Sequence, residues 1–331
     1  MTQGYKVLLV GCGQLGTRHL QAVAQLPDIA EVHVIDSSEA SLELGRTRLA
    51  EVGGAATPGV EYHWHASPDE SAAEPDLCIV ATQSAGRGEL VMRLADSLGA
   101  QTFLIEKVVT RSVREYEELM SFADSKQLSV WVNCKTRTYG IHKHIKSLLP
   151  SGQPLFLSDV GGNHGLGNNG VHAADLFSFY TGGERIHVKG GRVDEMLHPS
   201  KRGGDVFDLS GTLLGATDGG SDFCLSFAGS NTAPDVVTIA APGARFVVDH
   251  FGKSAWASLE SEGWTWTQVP IDEDWTVSHM TKAFASDILH GKKCELPTLK
   301  ETFPAHEFVL TALLPHFNRL LGKDDDVCPI T

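Results

Sequence analysis

Short apolar runs alternate with helical stretches through the first part of the chain. Residues 6–10 (KVLLV) form an unbroken apolar run, the pattern of a strand covered on both faces. After Gly11–Gly16, residues 17–26 place Leu20, Val23 and Ala24 at helical spacing until Pro27 stops them. Residues 31–35 predict a second strand ending at Asp36, and Glu39–Val52 a second helix. Further strands are predicted at 77–81, Thr102–Ile105 and Ser129–Val132, with helices at 89–98 and 113–125 between them. Strands alternating with helices in this way predict a doubly wound parallel α/β sheet, here a Rossmann domain over residues 1–135.

The rhythm then changes. Strand-like runs at 155–160, His187–Val193, 207–214, 221–227, 236–239 and 245–249 follow one another across Gly, Asn and Asp turns, and a Trp-rich stretch at 256–266 extends the series. Helical patterns interrupt only at 172–180, Val277–Leu289 and 305–321. This predicts an α+β domain with a mostly antiparallel sheet over 136–331, with a C-terminal helix packing back on the first domain.

Composition and charge narrow the class. With 27 Lys+Arg against 41 Asp+Glu the chain carries a formal charge of −14, which argues against a nucleic-acid binder, since that needs a cationic face. No apolar stretch approaches the roughly 20 residues of a membrane span, and the N-terminal run ends in glycines without a signal-peptide cleavage pattern. Six cysteines lack CxxC spacing and read as reduced thiols of a cytoplasmic protein. No metal site is expected: His63-Trp64-His65 and His142-Lys143-His144 have i, i+2 spacing with no completing ligands, and read as surface histidines.

Gly11-Cys12-Gly13-Gln14-Leu15-Gly16 is a GxGxxG between a predicted strand and a predicted helix. Gly11 permits the tight turn, Gly13 lets backbone approach a pyrophosphate, and Gly16 allows close helix–strand packing. The helix N-terminus, with Gln14 and Leu15, offers N–H groups to phosphate. Asp36, twenty positions beyond Gly16, is placed to accept from the adenosine ribose hydroxyls, with Ser37 beside it. A carboxylate there repels a 2′-phosphate, so the expected cofactor is NAD, with NADP less favoured.

The sequence GCGQLGTRHLQAV, with Arg18-His19 after the last fingerprint glycine, resembles the glucose–fructose oxidoreductase, inositol dehydrogenase and rhizopine-catabolism (GFO/IDH/MocA) family. The likeness continues through Asp76–Thr82, through Glu106-Lys107-Val108 where the family carries Glu-Lys-Pro, through Arg137, and through Asn168–Asp175, which is similar to the family's Asp-x-Gly-x-His-x-x-Asp. The resemblance implies a Rossmann domain with an open-faced antiparallel α/β domain, and a homodimer or homotetramer formed through the open sheet face. It also implies cofactor contacts from Thr82, Glu106 and Lys107, and substrate contacts from Arg137, Asn168 and Asp175. Two departures stand out. Val108 replaces proline, so the preceding peptide is expected to be trans, because a cis bond before a non-proline residue costs about 2.5–4 kcal/mol. Asn168 replaces an aspartate, and an amide exchanges no proton at neutral pH.

The chemistry implied is hydride transfer between nicotinamide and a hydroxyl or carbonyl of a sugar or sugar derivative, including nucleotide sugars and acidic sugars. His172 is the expected acid/base, Lys107 polarises the reacting oxygen, and Asn168 orients the substrate; the first two could exchange roles. Without the resemblance, Lys107 reads as a strand-end residue and His172 as a satisfied core histidine. Asp175, one turn after His172, either orients that ring or pairs with a cation. The Gly- and Asn-rich segment 161–170 is an irregular loop suited to a polyhydroxylated ligand, with Asn163 and His164 as contacts. Two alternatives remain: an NAD-retaining enzyme of epimerisation, elimination or glycoside cleavage, and a non-catalytic NAD- and sugar-binding regulator.

Overall fold

The computed structural model describes residues 4–71, 74–162, 165–200 and 203–331. The chain divides into two units, and the division is not made at one point along it. One unit comprises Met1–Thr110, Glu117–Asn133 and Asp274–Leu299; the other comprises Arg111–Tyr116, Cys134–Glu273 and Lys300–Thr331.

The first unit is built on β1 (Tyr5–Val10), β2 (Ile29–Ile35), β3 (Glu61–His65), β4 (Leu77–Val80), β5 (Thr102–Ile105) and β6 (Ser129–Val132). All pair in parallel, in the order β3-β2-β1-β4-β5-β6. This order places a strand crossing, and hence a ligand crevice, at the carboxyl ends of β1 and β4. The helices are α1 (Gly16–Val23), α2 (Glu39–Val52), α3 (Arg87–Leu98) and, from Glu117 onward, α4 (Val113–Lys126). Val7 to Val10 are buried throughout, as a strand covered on both faces requires. The late helix α7 (Val277–Leu289) belongs to this unit as well: Phe284, Ala285 and Ile288 join Leu20, Val23, Val32 and Ile79 in one core. β3 was not expected, because EYHWH carries few apolar residues; its Tyr62 and Trp64 nevertheless pack against that core.

The second unit holds α5 (Gly140–Leu148), α6 (Gly170–Thr181) and α8 (Leu299–Leu321), with strands β7 (Phe156–Gly161), β8 (His187–Val193), β9 (His198–Pro199), β10 (Phe207–Asp208), β11 (Gly211–Ala216), β12 (Asp222–Phe227), β13 (Val236–Ala241), β14 (Ala244–Asp249), β15 (Ser254–Leu259) and β16 (Trp266–Pro270). Eight of these strands form one sheet, in the order β16-β15-β14-β13-β7-β12-β11-β8, antiparallel except for the parallel pair β7 and β12. Aromatic packing holds helices to one face: Phe177 of α6 stacks on Phe223 at 5.0 Å, and Phe223 meets Phe308 of α8 edge-on at 5.6 Å. Phe156, Val160, Val188 and Leu214 of this sheet are exposed.

One smaller expectation needs correction. His142 is fully buried on α5, not a surface residue, because helical spacing turns it inward beside Ile141 and Ile145 while Lys143 and His144 stay exposed. Trp264 and Trp266 are exposed, with the Arg245 guanidinium over their rings at 5.4 and 4.9 Å. Among the described residues no helix is long and apolar enough to cross a membrane.

Candidate active site

The glycine turn between β1 and α1 is shaped by close contact. Gly11 has φ +91°, and a Cβ at Gly16 would lie 1.8 Å from the Gly11 carbonyl oxygen. A Cβ at Gly13, by contrast, would meet nothing within 4 Å. Two glycines close the turn and the third leaves open space at the helix start. Leu15 at the N-cap supplies no side-chain cap, and the Thr17 and Arg18 N–H groups donate to the Gly13 and Leu15 carbonyls at 3.0 and 2.9 Å, so an anion here would draw on the N–H groups of the turn that precedes them, with Gln14 beside it. The Thr82 hydroxyl, near the same turn, is buried and has no hydrogen-bond partner among the described residues. These features fit a dinucleotide pyrophosphate.

Asp36 stands where the sequence puts it, at the end of β2. One carboxylate oxygen accepts from the Cys12 N–H at 2.7 Å and the other from the Ser38 N–H at 2.9 Å. The carboxylate therefore braces the glycine turn and is held in place with lone pairs remaining. Ser37 is exposed next to it. Arg46 on α2, a cation of this region, is engaged by Glu39 at 2.8 Å and Glu43 at 3.2 Å.

The loops after β4 and β5 converge on a residue the sequence reading passed over. Arg87, at the start of α3 and only 1% exposed, donates to the carbonyls of Thr82, Glu106 and Val108. The Lys107–Val108 peptide is cis, which corrects the expectation of a trans bond. Val108 is fully buried and its carbonyl is anchored by Arg87, so tertiary contacts set this bond where a proline ring is missing. Lys107 itself is half-buried.

Glu106 does not point to solvent. Its Oε1 is 2.9 Å from His19 Nε2 and accepts from the Asn133 amide, while His19 Nδ1 lies 2.9 Å from the Thr281 hydroxyl. Burial alone pushes this carboxyl up, but the hydrogen bond and charge of His19, the Asn133 amide and the Lys107 ammonium outweigh it and bring its pKa down to about 2. A carboxylate depressed in the folded state stabilises above its unfolded pKa, and that contribution is lost as pH falls from about 4.5 toward about 2. Glu106→Gln is therefore expected to lower stability by about 1–3 kcal/mol at neutral pH. The difference from wild type should shrink across that acid window in denaturant melts.

The second unit carries a cavity of about 220 Å³ lined by Thr136, Asp159, Asn169, His172, Ala173, Leu176, Phe227, Asp235 and His250. His172 projects from the first turn of α6, its N–H donating to the Asn169 carbonyl at 2.9 Å. Asn169 lines the cavity and Asn168 does not; the backbone N–H groups of Gly167 and Asn168 are instead fixed on the Asp208 carboxylate at 2.7 and 2.9 Å. Asp159 is buried on β7 with one carboxyl oxygen lacking any hydrogen-bond partner. Burial, reinforced by the Asp235 charge, raises its pKa well above the usual carboxylate range. Behind His250, His142 lies with its Nε2 2.7 Å from His250 Nε2 and its Nδ1 2.8 Å from the Tyr180 hydroxyl. Burial, then the neighbouring His250, pushes the His142 pKa well down.

Arg137 and Asp175 are brought together. The guanidinium donates to both carboxylate oxygens at 2.7 and 2.6 Å and to the Asp175 carbonyl at 3.1 Å. Burial raises the Asp175 pKa and Arg137 opposes it. Of the two roles expected for Asp175, pairing with a cation is the one seen, and the pair ties α6 to the turn after β6. Asn163 and His164 lie outside the described residues. Sequence reading missed Asp159, Asp235 and His250, which come from a strand, the loop before β13 and a turn; only a period-2 pattern with charges on the inward side could have marked Asp159.

Residues 5–134 match the model of the GFO/IDH/MocA family, described as an oxidoreductase family with an NAD-binding Rossmann fold. No curated protein matches the sequence. Among solved structures, the fold is similar to an oxidoreductase from Agrobacterium radiobacter in complex with NAD+, L-tartaric acid and magnesium, with TM-score 0.71, 13% identity, and coverage of 95% of this chain and 97% of that one. It is also similar to a UDP-N-acetylglucosamine 3-dehydrogenase from Acidithiobacillus ferrooxidans, with TM-score 0.68, 18% identity, and 94% and 96% coverage. A third likeness is to a 3-ketoreductase from Actinomadura kijaniata solved with NADP, with TM-score 0.69, 17% identity, and 92% and 96% coverage. At these identities the likeness is one of fold.

Proposed function

We propose that the protein is an NAD-dependent oxidoreductase acting on a hydroxyl or carbonyl of a sugar ring carried by a nucleotide sugar. The observation that carries this reading is the cavity beside α6. It brings the imidazoles of His172 and His250 together with the carboxyls of Asp159 and Asp235 in a space suited to one sugar ring. Among the described residues no lysine or arginine lines it, so the carboxylate of an acidic sugar would meet no cation there and would face Asp235. A neutral ring meets hydrogen-bonding groups alone. The two sugar-related structural neighbours, a nucleotide-sugar 3-dehydrogenase and a 3-ketoreductase, support the same class.

The roles follow from chemistry. The nicotinamide, when bound, supplies the hydride acceptor or donor. His172 takes the hydroxyl proton during oxidation and returns it during reduction. Lys107 donates to the reacting oxygen and to the cofactor ribose. Asn169, which lines the cavity, orients the substrate, and Asn168, its N–H held by Asp208, fixes the loop before α6. Gly11, Gly13, Gln14, Leu15 and Gly16 hold the pyrophosphate, Asp36 and Ser37 the adenosine ribose, and Thr82 offers its hydroxyl. Arg137 and Asp175 position α6. A second copy of the chain covers the exposed apolar sheet face.

NAD is favoured over NADP because Asp36 is fixed at the ribose position and Arg46 is already engaged by two carboxylates. Asp36→Ala is expected to weaken NAD affinity about ten- to a hundredfold, the worth of charge-assisted hydrogen bonds, and to narrow the preference over NADP. Fluorescence titration with both cofactors checks this. The function is tested by following reduced-nicotinamide absorbance against nucleotide sugars, neutral sugars and uronic acids. Turnover with nucleotide sugars is the expected result. Cofactor that copurifies and never turns over would point to an NAD-retaining enzyme, and turnover confined to uronic acids would overturn the substrate class.

A further inference from the structure

The histidine pair of β3 does not stand alone once the sheet is assembled. β2 and β3 run parallel with Glu31 beside Glu61, His33 beside His63 and Ile35 beside His65. Alternate residues share a face, so Glu31, His33, His63 and His65 rise from one side of this strand pair, while Val32, Val34, Tyr62 and Trp64 pack into the core on the other. The His33 ring is stacked on His63 at 4.6 Å and on His65 at 5.4 Å. Ligand atoms of Glu31, His33 and His63 all lie within 4.8 Å of one another. The sequence shows only an i, i+2 pair on β3; the third and fourth groups arrive from β2, some thirty positions earlier.

We infer that Glu31, His33 and His63 form a binding site for a first-row transition-metal dication of the zinc class. Two imidazoles and a carboxylate are a donor set suited to zinc, nickel and copper, and poorly suited to magnesium or calcium, which take oxygen ligands. The surroundings favour the same assignment. His33 Nε2 faces Glu31 Oε2 at 3.4 Å, while its Nδ1 lies 3.2 Å from His65 Nε2 and 3.4 Å from the Ser71 hydroxyl. With the Nδ1 proton donated to His65 or Ser71, the Nε2 lone pair is left on the Glu31 side, the second-shell arrangement that metal-ligating histidines use. Ligands at about 2.1 Å in a tetrahedron stand about 3.4 Å apart. Closure therefore asks for rotation of Glu31 and His63, whose side chains are 29% and 40% exposed, around a His33 that is 11% exposed. Lys6, 3.7 Å from Glu31, competes for that carboxylate. β3 is the edge strand of its sheet, so a bound ion would clip the edge to its neighbour. This assignment is independent of the reading of the cofactor and substrate sites.

The test uses tag-free full-length protein, titrated with Zn²⁺ by calorimetry and with Co²⁺ by visible absorption. One equivalent of Zn²⁺ should bind, raising the melting temperature. His63→Ala should weaken binding at least about a hundredfold, and His65→Ala about tenfold as a supporting residue. Lys6→Met should tighten it several-fold, and Mg²⁺ should give no heat. His63 is exposed enough for its alanine variant to fold, and an unchanged melting temperature of the metal-free variant verifies this. The inference is overturned if Zn²⁺ binds no more tightly than about 1 mM, or if His63→Ala binds Zn²⁺ as wild type does, which would place the ion at other residues such as the His142–His250 pair.

Discussion

Alanine at Gly13 and alanine at Gly16 are expected to fail in different ways. The two sites are three residues apart in one turn, yet their surroundings are opposite. A Cβ at Gly16 would sit 1.8 Å from the Gly11 carbonyl oxygen, a distance at which backbone must move, so β1 and α1 can no longer pack as they do. Overpacking of this kind costs about 1–3 kcal/mol or more, and the turn that presents its N–H groups is lost with it. Gly16→Ala should therefore lower the melting temperature and abolish cofactor binding together. A Cβ at Gly13 meets nothing within 4 Å, so Gly13→Ala should melt as wild type while losing at least about a hundredfold in NAD affinity, because the methyl occupies the approach of the pyrophosphate. Thermal melts and NAD titrations of both variants check the contrast. Normal NAD affinity in Gly13→Ala would remove the pyrophosphate from this turn.

His172→Ala is expected to reduce turnover on the accepted sugar by about 10²–10⁴-fold, the usual contribution of a positioned acid/base. NAD affinity should be unchanged, because no cofactor contact is assigned to this residue. The loss should fall on kcat and on kcat/KM alike, the signature of a group that acts in the transition state. Lys107→Ala should also cut the rate but weaken NAD binding as well, since its ammonium is assigned to the cofactor ribose. Stopped-flow kinetics with matched cofactor titrations separates the two. A regulator that only senses NAD would show neither rate effect.

Much of the first unit can be read from the chain because its signals are local. The apolar run before Gly11, the glycine spacing and Asp36 lie within one strand–turn–helix–strand, and each carries its own stereochemical demand. β3 escaped because its polar face is a row of histidines, and only Tyr62 and Trp64 face the core. The cavity escaped for a different reason. Asp159, Asp235 and His250 are far apart in sequence, and they meet because β7 pairs with β13, Asp159 lying beside Val237. Register of that kind follows from the packing of a whole sheet and has no local mark. The cis bond before Val108 was missed because the rule that predicts trans concerns the isolated dipeptide, whereas Arg87 acts from nineteen positions away on the Glu106 carbonyl.

Arg87 has a consequence for anyone who would re-engineer this domain. It draws the carbonyls of Thr82, Glu106 and Val108 onto one guanidinium, so the loops after β4 and β5 are not separate modules. A loop transplanted from a relative without a matching arginine, or an arginine kept beside a loop of another length, leaves buried carbonyls unanswered in both segments at once. Successful grafts will exchange the two loops and residue 87 as a single cassette.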